Sequence, residues 1–228
     1  MDLQAFLAGP GLVVSLLVFA GGLVWRVVWY MRGLDWRLDR VAYRPHLKLG
    51  LRGALHSICR WLLPYGTHAW RSAPLFTLCT FAFHLGIILV PLFLAGHTSL
   101  LHDATGICLP SLPQGVADVL SGVALAALVF LFLRRLALPE IRLLSTRQDY
   151  AVLALVALPL ASGCLAVAHA PGYSFWITLH MLSGEIMLIA APFTKLSHIA
   201  LFFMSRGQLG MDFSIKRGGE YRGAAFPW

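Results

Sequence analysis

Five long apolar stretches constrain the fold of this 228-residue chain more than any other feature of its sequence. A helix needs about 20 largely apolar residues to cross about 30 Å of hydrocarbon, and each stretch is close to that length or longer. The stretches lie at about 10–30, 73–96, 116–133, 150–168 and 172–205. Runs of Leu, Ala, Val and Phe without the alternation of barrel strands favour helices. The sequence therefore predicts an all-α membrane protein with five transmembrane helices.

The composition argues against the other fold classes. Charged residues make up 12% of the chain and hydrophobic residues 58%, whereas soluble proteins carry about a quarter charged residues. Such a chain is too apolar for a soluble globule or for intrinsic disorder. Its four cysteines are scattered and form no C-x-x-C or C-x-x-C-H motif, which argues against covalent haem and cysteine-bound clusters. We expect a single membrane domain over residues 1–228.

The basic residues predict the orientation of the helices. The chain has 18 Lys and Arg, and they lie at 32–71, at 134–147 and after 205, with Arg26 and Lys195 in the adjoining ends of spans. The N-terminus and the connections 96–115 and 169–173 contain none. The positive-inside rule then predicts an outside N-terminus and a cytoplasmic C-terminus. Anionic lipid head groups explain this basic charge, so no nucleic-acid partner is expected.

The long connection between the first two spans contains an amphipathic pattern over 47–63. Four-residue spacing places basic side chains on one helix stripe and apolar side chains on the next. The apolar residues are Leu47, Leu51, Leu55, Ile58 and Leu62, and the basic ones are Lys48, Arg52, His56 and Arg60. The pattern predicts an interfacial helix in the inner head-group layer. It also suits a docking face for a cytoplasmic partner, and the sequence does not separate the two.

Several histidines fall in or beside the spans, where ionisable residues usually have a function. They are His84, His97, His169, His180 and His198. On one continuous helix, the 18 residues from His180 to His198 make five whole turns, so both imidazoles share a face about 27 Å apart. Two b-type haems stacked across a membrane need this arrangement, with histidines of a facing helix completing each axial pair.

Depth in the membrane predicts which histidines pair. His84 pairs with His198 for an inner haem, and His180 pairs with His97 for an outer haem, with His169 as the rival ligand. His84 and His97 are 13 residues apart, about 220° on an ideal helix, so they share a face only if Pro91 kinks or rewinds it. The alternative is that these histidines are polar packing groups with hydrogen bonds inside the bundle.

Five further residues are candidates for supporting roles in the same chemistry. Lys195 and Arg142, together with Arg134 and Arg135, could bind haem propionates, although positive-inside retention explains the same residues without haem. Glu185 lies about 140° from the predicted haem face. It could take a proton from a quinol near the outer haem, or it could form a hydrogen bond to a neighbouring helix.

These motifs resemble the gamma subunit of respiratory nitrate reductase, a five-helix dihaem cytochrome b, over roughly residues 75–205. The similar segments are Phe83-His84-Leu85-Gly86, Leu133-Arg134-Arg135-Leu136 with Pro139, Arg142 and Ser145-Thr146, Leu179-His180-Met181-Leu182-Ser183-Gly184, and Pro192-Phe193-Thr194-Lys195-Leu196-Ser197-His198-Ile199. The 18-residue histidine spacing is also similar. The chain departs from the pattern at Leu94, where the family has its second histidine of the second span, and His97 is the nearest substitute.

The long basic connection and the stretch Arg60-Trp61-Leu62-Leu63-Pro64-Tyr65-Gly66 are more similar to the cytochrome b subunits of sulfate-reducer redox complexes of the Dsr, Tmc and Hmc types. That resemblance implies a multi-pass protein of the bacterial inner membrane. It implies electron exchange with menaquinone through one or two haem b groups. The implied partners are a cytoplasmic heterodisulfide-reductase-like iron–sulfur subunit and a periplasmic multihaem cytochrome c.

The sequence thus predicts an electron-transfer subunit, which becomes an oxidoreductase only within a complex. Two alternatives stay open. One is a non-haem membrane anchor that docks a soluble redox enzyme through its basic face. The other is a small proton or ion channel that uses the histidines and Glu185 as a relay.

Overall fold

The computed structural model describes residues 2–34 and 46–216, and these residues form helices and no strand. The α-helices of the described ranges are α1 (Leu3–Phe6), α2 (Leu12–Gly33), α3 (Leu47–Leu62), α4 (Ala69–Ser72), α5 (Pro74–Phe93), α6 (Ala95–Thr105), α7 (Gln114–Ala137), α8 (Pro139–Leu144), α9 (Arg147–Val167), α10 (Tyr173–Ala190) and α11 (His198–Lys216). A π-helical segment, Leu7–Gly11, joins α1 to α2. Two 3₁₀ turns, Ala191–Phe193 and Lys195–Ser197, lie between α10 and α11.

Five helical segments of the described residues are long and apolar enough to cross a membrane, which confirms the all-α class and agrees in number with the five predicted spans. They are Leu3–Gly33, Pro74–Phe93, Gln114–Ala137, Arg147–Val167 and Tyr173–Phe193. The first is longer than the predicted 10–30 because the chain continues as a helix through Pro10. Pro10 has no backbone N–H and would interrupt an α-helix. Here it lies inside the wider π turn, a form that often occurs at functional sites.

The second predicted span, 73–96, ends earlier than expected. Pro91 stays inside α5, and the helix ends two residues later, where Leu94 has extended backbone angles. A separate helix, α6, then begins at Ala95 and carries His97. The chain therefore redirects His97 by a break between two helices and not by a kink within one.

The predicted fifth span, 172–205, is not one helix. α10 ends at Ala190, and Thr194 is extended with φ −118° and ψ −172°. Pro192 explains the end of α10, because it offers no N–H and its ring clashes with the preceding turn. The expectation that His180 and His198 share the face of one continuous helix is therefore wrong. His198 begins α11, which is outside the five candidate spans.

The predicted helix at 47–63 is present as α3, Leu47–Leu62. Its small residues Gly50, Gly53 and Ser57 are buried, whereas the predicted leucine stripe is largely exposed. α3 therefore has three faces, one of small residues, one of leucines and one of basic residues.

The described residues pack as two compact units, and the prediction of a single membrane domain stays a prediction. The first comprises Met1–Gly21 and Leu78–Leu196, and the second comprises Gly22–Thr77 and Ser197–Trp228. In the first unit α7 and α10 pack against α9, with Ala124, Leu128, Val156 and Ala166 among the buried residues. The close approach of α5 to α7 depends on Gly86, because a Cβ there would lie 2.5 Å from the Cβ of Ala124.

In the second unit, α3 packs against α11 along nearly its whole length. The buried face of α3 meets Gly210 and Ser214 of α11, and the backbones are so close that no Cβ fits at Gly53 or Gly210. Arg206 of α11 donates to Ser57 Oγ at 2.9 Å and lies 4.7 Å from the Trp61 ring. Small residues, and not the leucine stripe, hold this helix pair together.

Candidate functional site

Two of the predicted haem ligands, His97 and His180, lie directly against each other in the first unit. Their Nε2 atoms are 3.4 Å apart, their ring centroids are 5.6 Å apart, and their ring planes differ by 7°. The centroid separation exceeds the Nε2–Nε2 distance by about 2.2 Å, which is close to the sum of two imidazole ring radii. The rings therefore point at each other head to head and are nearly coplanar.

Backbone carbonyls determine which nitrogen of each ring carries the proton. His180 Nδ1 lies 2.8 Å from the carbonyl oxygen of Pro159, and His97 Nδ1 lies 3.4 Å from that of Val90. A carbonyl oxygen only accepts hydrogen bonds, so both Nδ1 atoms act as the donors. In a neutral imidazole the other nitrogen then has a bare lone pair. The two facing Nε2 atoms are thus both acceptors, which repel unless a cation lies between them.

The surroundings of His97 disfavour its protonated form. Burial lowers the pKa of His97 below its ordinary value of 6.5, and the neighbouring His180 lowers it further. The carbonyls of Val90 and Pro91 act in the opposite direction and raise it. Burial is the largest cause, so the net shift is downward. A neutral imidazole is the form that binds a metal.

This arrangement fits a metal ion with two axial imidazoles. Metal–imidazole bonds are about 2 Å long, so two opposite ligands place their nitrogens about 4 Å apart. The observed Nε2–Nε2 distance is 3.4 Å, so the two rings would have to move only slightly apart to reach that spacing. The Nδ1–carbonyl bonds are the outer contacts that orient metal-binding histidines. No group of three or more His, Cys, Asp or Glu that could hold a metal occurs within 2–34 and 46–216, and an axial pair does not need one.

A glycine of the neighbouring helix makes room for the His180 ring. A Cβ on Gly163 of α9 would lie 2.8 Å from His180 Nδ1 and 2.9 Å from its Cε1. We expect Gly163→Ala to displace the ring, to break its bond to Pro159 and to weaken any ligand bound at Nε2 roughly tenfold, as for loss of an outer contact. Haem content of the purified variant measures this effect.

Gly184→Ala is the matched control for that substitution. Gly184 lies on α10, one turn after His180, and a Cβ there would meet nothing within 4 Å. Haem content should stay unchanged in this variant. Equal loss from both variants would show that the effect comes from helix stability and not from the space beside His180.

His84, the predicted inner ligand of the second span, has the same outer contact. Its Nδ1 lies 2.7 Å from the carbonyl oxygen of Thr80, so Nδ1 is the donor of that hydrogen bond. His84 belongs to the first unit and its predicted partner, His198, to the second. The pairing of His84 with His198 therefore stays a prediction.

The rival outer ligand, His169, makes a different contact. Its backbone is left-handed, with φ 49°, and its ring stacks on Tyr173 with 5.8 Å between centroids. The structure thus places His97, and not His169, against His180.

The predicted propionate anchor Lys195 has a protein partner. Its Nζ donates to Asp149 Oδ1 at 2.7 Å, and Arg135 lies 3.9 Å from the same oxygen. Asp149 also caps α9 through Thr146. Arg142, the other predicted anchor, is exposed on α8.

No family model and no solved structure matches the chain. A protein of Nitratidesulfovibrio vulgaris (strain Hildenborough), named simply "Protein", is 58% identical to it over 226 residues. The alignment covers 99% of this chain and 100% of that relative. The chain belongs to the family of this N. vulgaris protein. The relative's name states no activity, so the chemistry of this family member is argued from its own residues.

Glu185 of this family member packs against the π segment of the first span. A Cβ on Gly11 would lie 2.8 Å from Glu185 Oε2, and Oε1 is buried without a hydrogen-bond partner among the described residues. Glycine at position 11 therefore provides the space for the carboxyl group. The contact joins the π turn to the helix that carries His180.

Proposed function

We propose that the chain is the b-type cytochrome subunit of a respiratory redox complex. The observation that carries the proposal is the head-to-head pair of His97 and His180, with both Nδ1 atoms bonded to carbonyls and both Nε2 atoms facing each other. Packing histidines satisfy their nitrogens with hydrogen bonds. Two bare lone pairs directed at each other instead suit a shared metal centre.

His97 and His180 would hold the outer haem b, and His84 and His198 the inner one. Bound haem would supply a one-electron carrier. The chain's own part is to present neutral imidazoles, to fix their planes through the carbonyls of Pro159 and Thr80, and to surround them with apolar helices. Lys195 and Arg142 remain the proposed propionate contacts. In that role Lys195 would contact both Asp149 and a propionate.

The proposed setting is the bacterial inner membrane, with the N-terminus outside and the C-terminus in the cytoplasm. α3 would lie in the inner interface, with its exposed leucines in lipid and its basic stripe among the head groups. Electrons would pass between menaquinone or a periplasmic multihaem cytochrome c and a cytoplasmic heterodisulfide-reductase-like iron–sulfur subunit. Glu185, packed against Gly11, would be the proton-handling group on the quinone side. The proposal rests on the paired histidines and on the resemblance to such subunits.

A dithionite-reduced minus oxidised spectrum of the purified subunit tests the proposal, with haem b counted per chain by pyridine haemochrome. Two haems per chain would support both histidine pairs. One haem would support the cytochrome function with a single site. A folded, assembled and colourless subunit would overturn the proposal in favour of the plain membrane anchor.

The outer haem should withstand mild acid. Burial lowers the pKa of His97 below its ordinary value of 6.5, so its Nε2 takes up a proton only at a pH below that value. Protonation of Nε2 would remove the lone pair that binds iron. If His97 holds the outer haem, we expect that haem to stay bound as the oxidised subunit is titrated from about pH 8 to about pH 6.5, and to dissociate as the pH falls through the lowered pKa. The Soret band measures this, and loss of the outer haem above about pH 6.5 would contradict the prediction.

A further inference from the structure

Arg26 is a half-buried cation of α2 with few protein contacts. Its Nη2 reaches Ser197 Oγ at 3.5 Å, and its guanidinium carbon lies 5.3 Å from the Trp29 ring and 6.0 Å from the Trp25 ring. Its Nε is enclosed and has no hydrogen-bond partner in the described part of the chain. A guanidinium has five N–H donors, and here one long hydrogen bond uses one of them.

A guanidinium that is partly removed from water in an apolar helix is stabilised by an accompanying anion. No ion pair of Arg26 occurs within residues 2–34 and 46–216. Other cations of the chain are better satisfied. Lys195 pairs with Asp149 at 2.7 Å, and Arg206 donates to Ser57 at 2.9 Å. Among the described residues, the guanidinium of Arg26 therefore has donors that no protein acceptor uses.

The surroundings of Arg26 indicate what such a ligand is. Trp25 and Trp29 are 52% and 58% exposed, and tryptophan is typical of the membrane–water interface. α2 ends at Gly33, about 10 Å further along its axis. On the other side, Ser197 directly precedes His198. The guanidinium thus lies where acidic groups of membrane-embedded molecules are expected.

We propose that Arg26 and Ser197 form a binding site for an anionic oxygen group, a carboxylate or a phosphate, of a membrane-embedded ligand. The guanidinium supplies the charge and several N–H donors, and Ser197 supplies a hydroxyl. One source of such a group is a propionate of a haem held by His198, and this possibility rests on the proposed function. The other source is the head group of an anionic phospholipid, and this possibility is independent of the proposed function.

Arg26→Gln tests this site, with Arg26→Lys and Arg32→Gln beside it. Lysine keeps the charge but not the planar fork. Arg32 is an exposed cation on the same helix, so its substitution controls for the general loss of one charge. Haem per chain, the midpoint potential of each haem and phospholipid retained in native mass spectra are measured for all four proteins.

Propionate binding predicts that Arg26→Gln lowers the affinity for one haem roughly tenfold and lowers the midpoint potential of that haem. Arg26→Lys should retain part of the haem affinity and of the midpoint potential. Arg32→Gln should change neither quantity. Head-group binding predicts unchanged haem and loss of the retained phospholipid in Arg26→Gln alone. Equal behaviour of Arg26→Gln and Arg32→Gln in all three measurements would overturn the site. Because the phospholipid measurement needs no haem, a colourless subunit would overturn the cytochrome proposal and leave this one testable.

Discussion

If the chain binds two haem b groups as proposed, the His180→Ala variant is expected to retain one of them per chain. Alanine has no lone pair to offer, and His97 alone would leave the outer iron without its second axial imidazole. His180 is not a helix-capping or buried core residue, so α10 should still fold and insert. Pyridine haemochrome analysis of the purified variant measures the loss. The nearly parallel ring planes also predict that a rhombic low-spin EPR signal is the one that disappears.

Variants of the neighbouring histidines sharpen that result. His97→Ala should lose the same single haem, and the His97→Ala/His180→Ala double variant should lose no more, because in the proposed site both residues would bind the same iron. His169→Asn should retain both haems. Asparagine is chosen there because it tolerates the left-handed backbone of position 169 better than alanine. Loss of the outer haem from His169→Asn, with retention in His97→Ala, would contradict the pairing and favour the rival ligand.

Much of the helical architecture is readable from the sequence, because the bilayer imposes both length and hydrophobicity on each span. The five apolar runs correspond to five candidate spans, and the amphipathic pattern at 47–63 corresponds to α3. The boundaries were less predictable. A hydropathy pattern cannot show that Pro10 is accommodated by a π turn or that the chain straightens at Leu94.

The histidine spacing illustrates where periodicity fails. Five whole turns between His180 and His198 assume an unbroken helix, and Pro192 with the extended Thr194 breaks it. Proline was visible in that stretch, but its effect depends on whether neighbouring helices satisfy the freed carbonyls. A sequence of equal hydropathy could cross the same point without a break.

The contact between His97 and His180 was predictable from the sequence, and the groups that hold the two rings in place were not. The sequence indicated His180 because this histidine lies in an apolar run, but it left His97 and His169 as alternative partners. The chain break at Leu94 places His97 against His180. The carbonyl of Pro159 and the space at Gly163 are 21 and 17 residues away in sequence and lie on another helix. Only packing of α9 against α10 brings them to the imidazole.

Gly210→Ala is expected to separate α3 from α11. A Cβ at position 210 would contact the backbone carbonyl of Gly53, at 2.7 Å from its carbon, and the Cα of Ala54 at 2.8 Å. Backbone atoms cannot rotate away as a side chain does, so the helices must move apart. Overpacking of this kind costs about 1–3 kcal/mol or more. Separation would also remove Arg206 from Ser57 and from the Trp61 ring.

The basic residues of α3 provide the measurement for that separation. Lys48, Arg52 and Arg60 are trypsin sites, and a helix packed on α11 opens for cleavage less often than a detached one. In detergent micelles, Gly210→Ala should be cut within α3 faster than the unaltered subunit. Gly207→Ala is the matched control, because its Cβ would lie 4.0 Å from Ile58 Cδ1 and alanine favours a helix over glycine by about 1 kcal/mol. That control should be cut no faster. If both variants were cut equally fast, close backbone contact would not be what stabilises the packing of α3 against α11. The leucine stripe or the basic face of α3 would then hold the two helices together.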